Sequence, residues 1–302
     1  MPTVQSWILA ARLRTLPLSL SGILVGTAMA IRDSFFDNLI FVFALLTTVG
    51  FQVLSNFAND YGDGVKGTDN EDRVGPARAM QSGLLTAAHL KKGMWITALL
   101  SIGTSLAVIY YAFGSKNFLL SVLFFVLGLA AIAAAIKYTV GKSAYGYRGL
   151  GDVFVFLFFG LLSVLGSYFL YTHTLMAVQF LPAITIGLLS VAVLHLNNMR
   201  DRKADAKVNK RTLAVFLGAK RSKLYHYSIL MIAVVSWIGY LLLSNAEVLF
   251  YTTLIGFVPV LVHILKIRKR DTPDALDPEL KKIALTTFGI SLLFLILSYI
   301  VS

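Results

Sequence analysis

Residues 38–58 read NLIFVFALLTTVGFQVLSNFA, and residues 59–83 continue NDYGDGVKGTDNEDRVGPARAMQSG. The first part is apolar for long enough to cross a bilayer as a helix. The second begins where that helix would leave the membrane, and it is crowded with acids, amides and glycines. Acids are costly near hydrocarbon and mark function when they occur there. Asn56, Asn59, Asp60 and Asp63 fall at spacings of three and four. On a continuing helix they share one face, within roughly a 100° arc. Gly62, Gly64 and Gly67 are expected to turn the backbone back on itself. Asp69, Glu71 and Asp72 follow, then Arg73 and Arg78. Carboxylates and amides on one face, with arginines just beyond, suit Mg²⁺ holding a phosphate-bearing ligand.

Working outward, the same apolar signal recurs. Candidate spans are Leu16–Ile31, Asn38–Ala58, Met94–Phe113, Phe118–Val140, Val153–Thr172, Val178–Met199, Leu224–Leu243, Val248–Leu265 and Ile283–Val301. Residues 5–15 are expected to form an interfacial helix broken near Pro17. Pro259 should kink the eighth span. The chain is 57% hydrophobic and 14% charged, with a mean hydropathy of +0.75. The fold class is therefore all-α: a polytopic membrane protein of about nine helices in one bundle, taken as a single domain over 1–302. No cleavage site precedes the first span, so that span is read as retained. The absence of cysteine excludes disulfides, thiolate metal sites and a cysteine nucleophile.

The net charge of +12 does not point to nucleic acid, because no basic soluble domain exists to carry it. Of 27 lysines and arginines, all but Arg32 and Lys116 fall in alternate loops. That asymmetry places the N-terminus in the cytoplasm, the C-terminus outside, and both acidic stretches on the cytoplasmic side.

The second acidic stretch, residues 197–212, reads NNMRDRKADAKVNKRT. Asn198, Asp201 and Asp205 cover about a 60° arc of a helix extending the sixth span. Asp63 and Asp201 are separated by four spans, so the two halves of the chain share orientation, as in a weak internal repeat. Two matching acid-bearing helix ends can flank one diphosphate, each with its own Mg²⁺. Between them, residues 137–152 read KYTVGKSAYGYRGLGD. Tyr138, Lys142 and Arg148 are candidates to hold diphosphate oxygens, although charge bias at the membrane also accounts for both bases. Asp152 reads as a helix N-cap or a catalytic acid. His195 reads as a packed helix contact or a ligand, and Asp277 before Pro278 as a helix start.

Taken together, the residues resemble the intramembrane aromatic prenyltransferases of the ubiquinone and menaquinone pathways. Those enzymes carry an Asn-Asp-x-x-Asp type motif after the second helix and an Asp-x-x-x-Asp motif after the sixth. Here these are Asn59-Asp60-Tyr61-Gly62-Asp63 and Asp201-Arg202-Lys203-Ala204-Asp205. A Tyr-x-x-x-Lys element between them matches Tyr138 to Lys142. The family's next carboxylate usually falls four residues after Asp63. Here position 67 is glycine and the acid is Asp69. The finer likeness is to the 1,4-dihydroxy-2-naphthoate polyprenyltransferases of the menaquinone branch. It is carried by residues 59–83, by RTLPLSLSGILVGTA at 14–28, by GYRGLGDVFVFLFFG at 146–160 and by LDPELKKIALTTF at 276–288.

The resemblance implies Mg²⁺-dependent transfer of a polyprenyl chain from its diphosphate to 1,4-dihydroxy-2-naphthoate, with loss of CO₂, in a bacterial cytoplasmic membrane. It implies metal ligands at Asn59, Asp63, Asp69, Asn198, Asp201 and Asp205, with Asp63, Asp201 and Asp205 catalytic. Arg73, Tyr138, Lys142 and Arg148 would hold the diphosphate. Other readings are another acceptor ring, such as 4-hydroxybenzoate or homogentisate, or a transporter. A transporter would place its polar groups near the bilayer midplane. A phosphotransferase acting on CDP-activated lipids would carry one compact acidic motif rather than two.

Overall fold

The computed structural model describes residues 2–68, 75–269 and 272–302. A short helix α1 (Val4–Ala11) leads into α2 (Leu16–Arg32), α3 (Asn38–Val65), α4 (Ala87–Phe113) and α5 (Phe118–Lys137). Then come α6 (Gly151–Thr172), α7 (Phe180–Lys207), α8 (Leu213–Leu243), α9 (Val248–Lys269) and α10 (Pro273–Val301). Among the described residues, nine segments are long and apolar enough to cross a membrane, with α1 and α2 counted as one. Membrane-spanning helices satisfy their backbone internally, which is why the apolar runs fold this way.

At the centre stands α2, buried continuously from Ser21 to Ile31 and packed against α3, α6, α7 and α10. Small residues allow that approach, as they do between helices in lipid. A Cβ on Gly22 would lie 2.1 Å from Ser163 Oγ, and one on Gly26 would lie 2.5 Å from the Val164 carbonyl oxygen. By contrast α5 buries only Ala131 and Ala134, and another of its faces, with Phe124 and Leu127, borders a cavity.

The helix α6 is irregular. It opens as α-helix, widens to a π-helix over Phe156–Gly166 and closes as α-helix over Ser167–Thr172. Within the wide segment Gly160 meets Gly187 of α7 so closely that a Cβ would lie 2.6 Å from the Gly187 Cα. Such wide turns are uncommon and cluster at functional sites.

Several boundaries differ from the sequence expectation, mostly because amphipathic helix ends continue beyond the hydrocarbon. The N-terminal break falls at Arg12, which is left-handed (φ 48°), and not at Pro17, which sits in the tolerant first turn of α2. Instead of starting near Leu224, α8 begins at Leu213 and bends at Gly218 (φ 73°). At Pro259 the span changes type: a 3₁₀ segment, Val248–Phe257, ends just before it, and the proline lies in the first turn of the α-helical part of α9. Asp277 is not a helix start, since α10 begins at Pro273. Gly62 and Gly64 lie inside α3, so only Gly67 (φ 68°) turns the chain.

At the end of the bundle away from the acids, Arg32 Nη1 donates to Tyr240 Oη at 2.8 Å, and its guanidinium lies 4.6 Å from the Phe250 ring centre. Tyr168 Oη donates to Asp33 at 2.6 Å. These contacts give Arg32 and Asp33 partners at that end.

Replacing Gly160 with leucine should destabilise the bundle by about 1–3 kcal/mol through overpacking. Gly103→Ala, where nothing lies within 4 Å of the added carbon, should be neutral or stabilising. Thermal unfolding in detergent reads both.

Candidate active site

The polar face of α3 divides into two pairs with different work. Asn56 Nδ2 donates to the Ala11 carbonyl at 2.8 Å and to Thr15 Oγ1 at 3.0 Å, fastening the α1–α2 junction to α3. Asp60 is fully buried and accepts the backbone N–H groups of Ala79 (3.2 Å) and Met80 (3.4 Å). Both of its oxygens thus hold the returning chain against the helix. That return aims Arg78 back at α3, where Nη1 donates to the Asn59 carbonyl at 2.9 Å and to Asp63 Oδ2 at 2.5 Å. Asn56, Asn59 and Asp63 line a cavity, and Asp60 does not.

A second contact arrives from the segment between α5 and α6. Gly62 lets it approach, since a Cβ there would lie 2.5 Å from Thr139 Oγ1. Thr139 Oγ1 donates to the Ala58 carbonyl at 2.9 Å, and Lys66 Nζ donates to the Thr139 carbonyl at 2.7 Å. Tyr147 Oη donates to Asp63 Oδ1 at 2.7 Å. Burial, then the adjacent Asp63, pushes the Tyr147 hydroxyl well above the usual phenol range, so it remains a donor. Tyr138 is raised in the same direction, first by burial and then by Asp63. Lys66 lies 4.0 Å from the Tyr147 ring centre. Burial lowers its pKa, Asp63 opposes this, and Lys210 adds to the lowering.

Tyr147 also reaches the second acidic helix end. Its carbonyl accepts the Arg211 N–H at 3.1 Å, and Lys210 Nζ lies 5.6 Å from its ring centre. Lys210 Nζ is 3.3 Å from Asp205 Oδ1, while the buried Asp205 Oδ2 has no hydrogen-bond partner. Asp201 is held by Arg200 in a two-point contact, Nε to Oδ1 and Nη2 to Oδ2, each 2.8 Å. The same guanidinium donates to Asn197 Oδ1 at 2.8 Å and to Asp277 in the second turn of α10. Asn198 is buried beside them. The two acidic helix ends therefore meet, with Tyr147 and Lys210 between them.

The cavity they border is about 600 Å³. Its polar mouth carries Arg78, Arg200, Lys210, Asp63 and Asp277, and Arg12 and Arg14 also face it. Its depth is apolar, walled by residues such as Phe51, Phe124, Phe159 and Leu170. An aromatic ladder runs down one wall. Tyr138 meets Tyr145 edge-on at 5.3 Å, Tyr145 stacks on Phe154 at 3.9 Å, and Phe154 follows to Phe158 at 6.2 Å.

The acidic groups fit a hard divalent cation. Every donor is a carboxylate or amide oxygen, and Asp205 Oδ2 is buried without a partner. Among the described residues no three His, Cys, Asp or Glu side chains close on one point. That is the arrangement Mg²⁺ tolerates when substrate phosphates complete its shell. Asp69 and Arg73 lie outside the described residues. Lys142 and Arg148 are exposed on their loop and do not line the cavity. The cations that line it are Arg12, Arg14, Arg78, Arg200, Lys210 and Lys281. Arg78 stood in the stretch that opened the sequence reading, but its return to Asp63 depends on a fold of the intervening loop that spacing does not reveal.

Asp152 is neither an N-cap nor in the cavity lining. It is buried in the first turn of α6, with Oδ2 3.3 Å from His195 Nδ1. His195 is fully buried and its Nε2 lies 3.3 Å from the Ser222 carbonyl oxygen. A second buried chain runs behind it, from His226 to His263 at 2.9 Å and from His263 to Glu279 at 2.7 Å. These groups join α6 to α10 and stand behind the site.

The UbiA prenyltransferase family model matches residues 19–297. The 1,4-dihydroxy-2-naphthoate octaprenyltransferase of Haemophilus influenzae is 40% identical over 96% of this chain and 94% of its own length. Its namesake from Escherichia coli is 41% identical over 97% of this chain and 94% of its own. Among solved structures, a UbiA homologue from Archaeoglobus fulgidus bound to GPP and Mg²⁺ covers 98% of this chain and 99% of that chain. Its TM-score is 0.67 at 17% identity, a likeness of fold. With a family match spanning nearly all of its length, the chain belongs to the UbiA prenyltransferase family.

Proposed function

We propose that this chain transfers a polyprenyl group from polyprenyl diphosphate to 1,4-dihydroxy-2-naphthoate, with loss of the acceptor carboxylate as CO₂, to give the hydroquinone demethylmenaquinol and diphosphate. One observation carries the reading: a cation-rich mouth between two acidic helix ends opens directly into an apolar cavity. The mouth suits a diphosphate and the depth suits its hydrocarbon tail. Relatives at 40–41% identity bear names for this reaction.

Within that arrangement Asn59 and Asp63 on α3, and Asn198, Asp201 and Asp205 on α7, would hold Mg²⁺. When bound, Mg²⁺ neutralises the charge growing on the leaving diphosphate. Arg78, Arg200 and Lys210 give the diphosphate charge-assisted donors. As the allylic C–O bond breaks, its electron pair leaves on the diphosphate and the carbon becomes electron-poor. Tyr138, Tyr145, Phe154 and Phe158 present aromatic faces that stabilise such a cation and exclude water from it. The electron-rich naphthalene ring forms the new C–C bond. Departure of CO₂ returns the electron pair of the carboxyl bond to the ring. No protein nucleophile takes part.

The acids occupy the last turns of α3 and α7, not the middle of a span, which favours an enzyme over a transporter. The basic residues gather at the same end. We infer a bacterial cytoplasmic membrane, with the site and the N-terminus facing the cytoplasm and the C-terminus outside.

The direct test supplies the purified protein with polyprenyl diphosphate, 1,4-dihydroxy-2-naphthoate and Mg²⁺, and identifies the lipid product by mass spectrometry. Demethylmenaquinol, or the quinone it gives on oxidation in air, is expected; a product formed only with 4-hydroxybenzoate or homogentisate would overturn the acceptor assignment. Asp63→Asn and Asp205→Asn should each lower kcat by ~10²–10³-fold with the fold retained, the usual scale for losing preorganised charge stabilisation. EDTA should abolish turnover and added Mg²⁺ restore it. Tyr145→Leu should lower kcat by up to about tenfold, the scale of one cation–π contact. Inhibition by inorganic pyrophosphate should be unchanged in that variant.

A further inference from the structure

Lys210 sits where neither spacing nor charge bias would single it out. The residue before it, Asn209, is left-handed (φ 56°) and closes α7. The Lys210 N–H then turns back to the Asp205 carbonyl at 2.9 Å. A non-glycine residue in that conformation is uncommon, and here it returns the lysine side chain over the helix end it has just left. The ammonium lies 3.3 Å from Asp205 Oδ1 on one acidic end. It also lies 5.6 Å from the ring centre of Tyr147, whose hydroxyl holds Asp63 on the other end. The partner oxygen, Asp205 Oδ2, is buried and unbonded. Lys66 approaches the same Tyr147 ring at 4.0 Å, and Lys210 adds to the lowering of its pKa. Cations are thus gathered more densely around Tyr147 than the two acids there require. Such a surplus suits an incoming polyanion.

We propose that Lys210 is the resident counter-ion of the metal-free site. It neutralises the gap between the two acidic helix ends when no ligand is bound. It transfers its contact from Asp205 to the diphosphate when Mg²⁺ and substrate arrive. The inference rests on the reading of the site as a diphosphate site and adds a residue and an order of events to it. An ammonium suits the role because it is a compact point charge on a flexible stem, whereas the paired guanidinium of Arg200 is locked at four atoms.

The test uses the full chain in detergent with MgCl₂ and inorganic pyrophosphate, without a prenyl substrate. Its outcome is therefore separate from whether prenyl transfer to a naphthoate is the reaction. In EDTA, Lys210→Met should melt below the wild type, and Mg²⁺ alone should raise its Tm by on the order of 2–4 °C more than it raises the wild type's. Lys203→Met, at an exposed position on the same helix, should respond as the wild type does. Affinity for Mg²⁺-pyrophosphate should fall about tenfold in Lys210→Met, as for loss of one charge-assisted contact. A Mg²⁺ response no larger than the wild type's overturns the proposal. A second measurement needs no variant. Amine labelling of Lys210 in the wild type, mapped by mass spectrometry, should accelerate with Mg²⁺ alone and be suppressed by Mg²⁺ with pyrophosphate. A rate indifferent to both additions overturns it as well.

Discussion

Two carboxylate-bearing helix ends are brought together at one edge of the bundle, and the rest of the structure exists under that constraint. Like charges at close range in a poorly solvated place repel strongly, and a buried unpaired charge is expensive. The chain meets the difficulty locally. Asp63 has Arg78 and Tyr147, Asp201 has Arg200, and Asp205 has Lys210. Three of these cations border the cavity as well, so the groups that make the empty site tolerable are also those that a diphosphate would meet.

The close fit of helices behind the site follows from the same need. A site built from the ends of α3 and α7 keeps its geometry only if the helices between them cannot slide. Small residues on α2 and the Gly160–Gly187 crossing draw α2, α6 and α7 to backbone contact. Buried polar groups add direction to that contact: Asp152 with His195, and His226 with His263 and Glu279, link α6 through α10 at the acid-bearing end. In hydrocarbon such groups hold register because their loss would leave a partner unsatisfied. The widened turns of α6 fit this picture. They lie where α6 must pack against a glycine on α7 and also present Phe158 and Phe159 to the cavity.

Much of this was legible in the sequence. Hydropathy gave nine spans because a bilayer imposes length and composition on every crossing segment, whatever the protein does. The spacing of Asn59 and Asp63, and of Asp201 and Asp205, placed each pair on one helical face; in the structure Asn59 and Asp63 line the cavity, while Asp201 and Asp205 contact Arg200 and Lys210, which line it. What could not be read was the division of labour inside the motifs. Asn56 and Asp60 have the same chemistry and the same spacing as Asn59 and Asp63. They serve the α1–α2 junction and the returning chain because of which neighbours fold against them. The placing of the cations follows the same rule. Lys142 and Arg148 lie close in sequence to Tyr138 yet point to solvent, while Lys210 and Arg78 reach the site through turns whose geometry rests on a left-handed asparagine and on backbone bonds to Asp60.

Asp60 shows how far motif and mechanism can part. As the second letter of an Asn-Asp-x-x-Asp pattern it looks like a metal ligand, and its carboxylate is the most buried of the series. Both oxygens accept backbone N–H groups from residues 79 and 80, so drawing the carboxylate away toward a cation would loosen the loop that carries Arg78. Releasing that loop would remove the guanidinium from Asp63 and unmake the site. The acid is therefore needed at that position for the chain it holds, and Asp63, one helical turn on, is left to face the ligand.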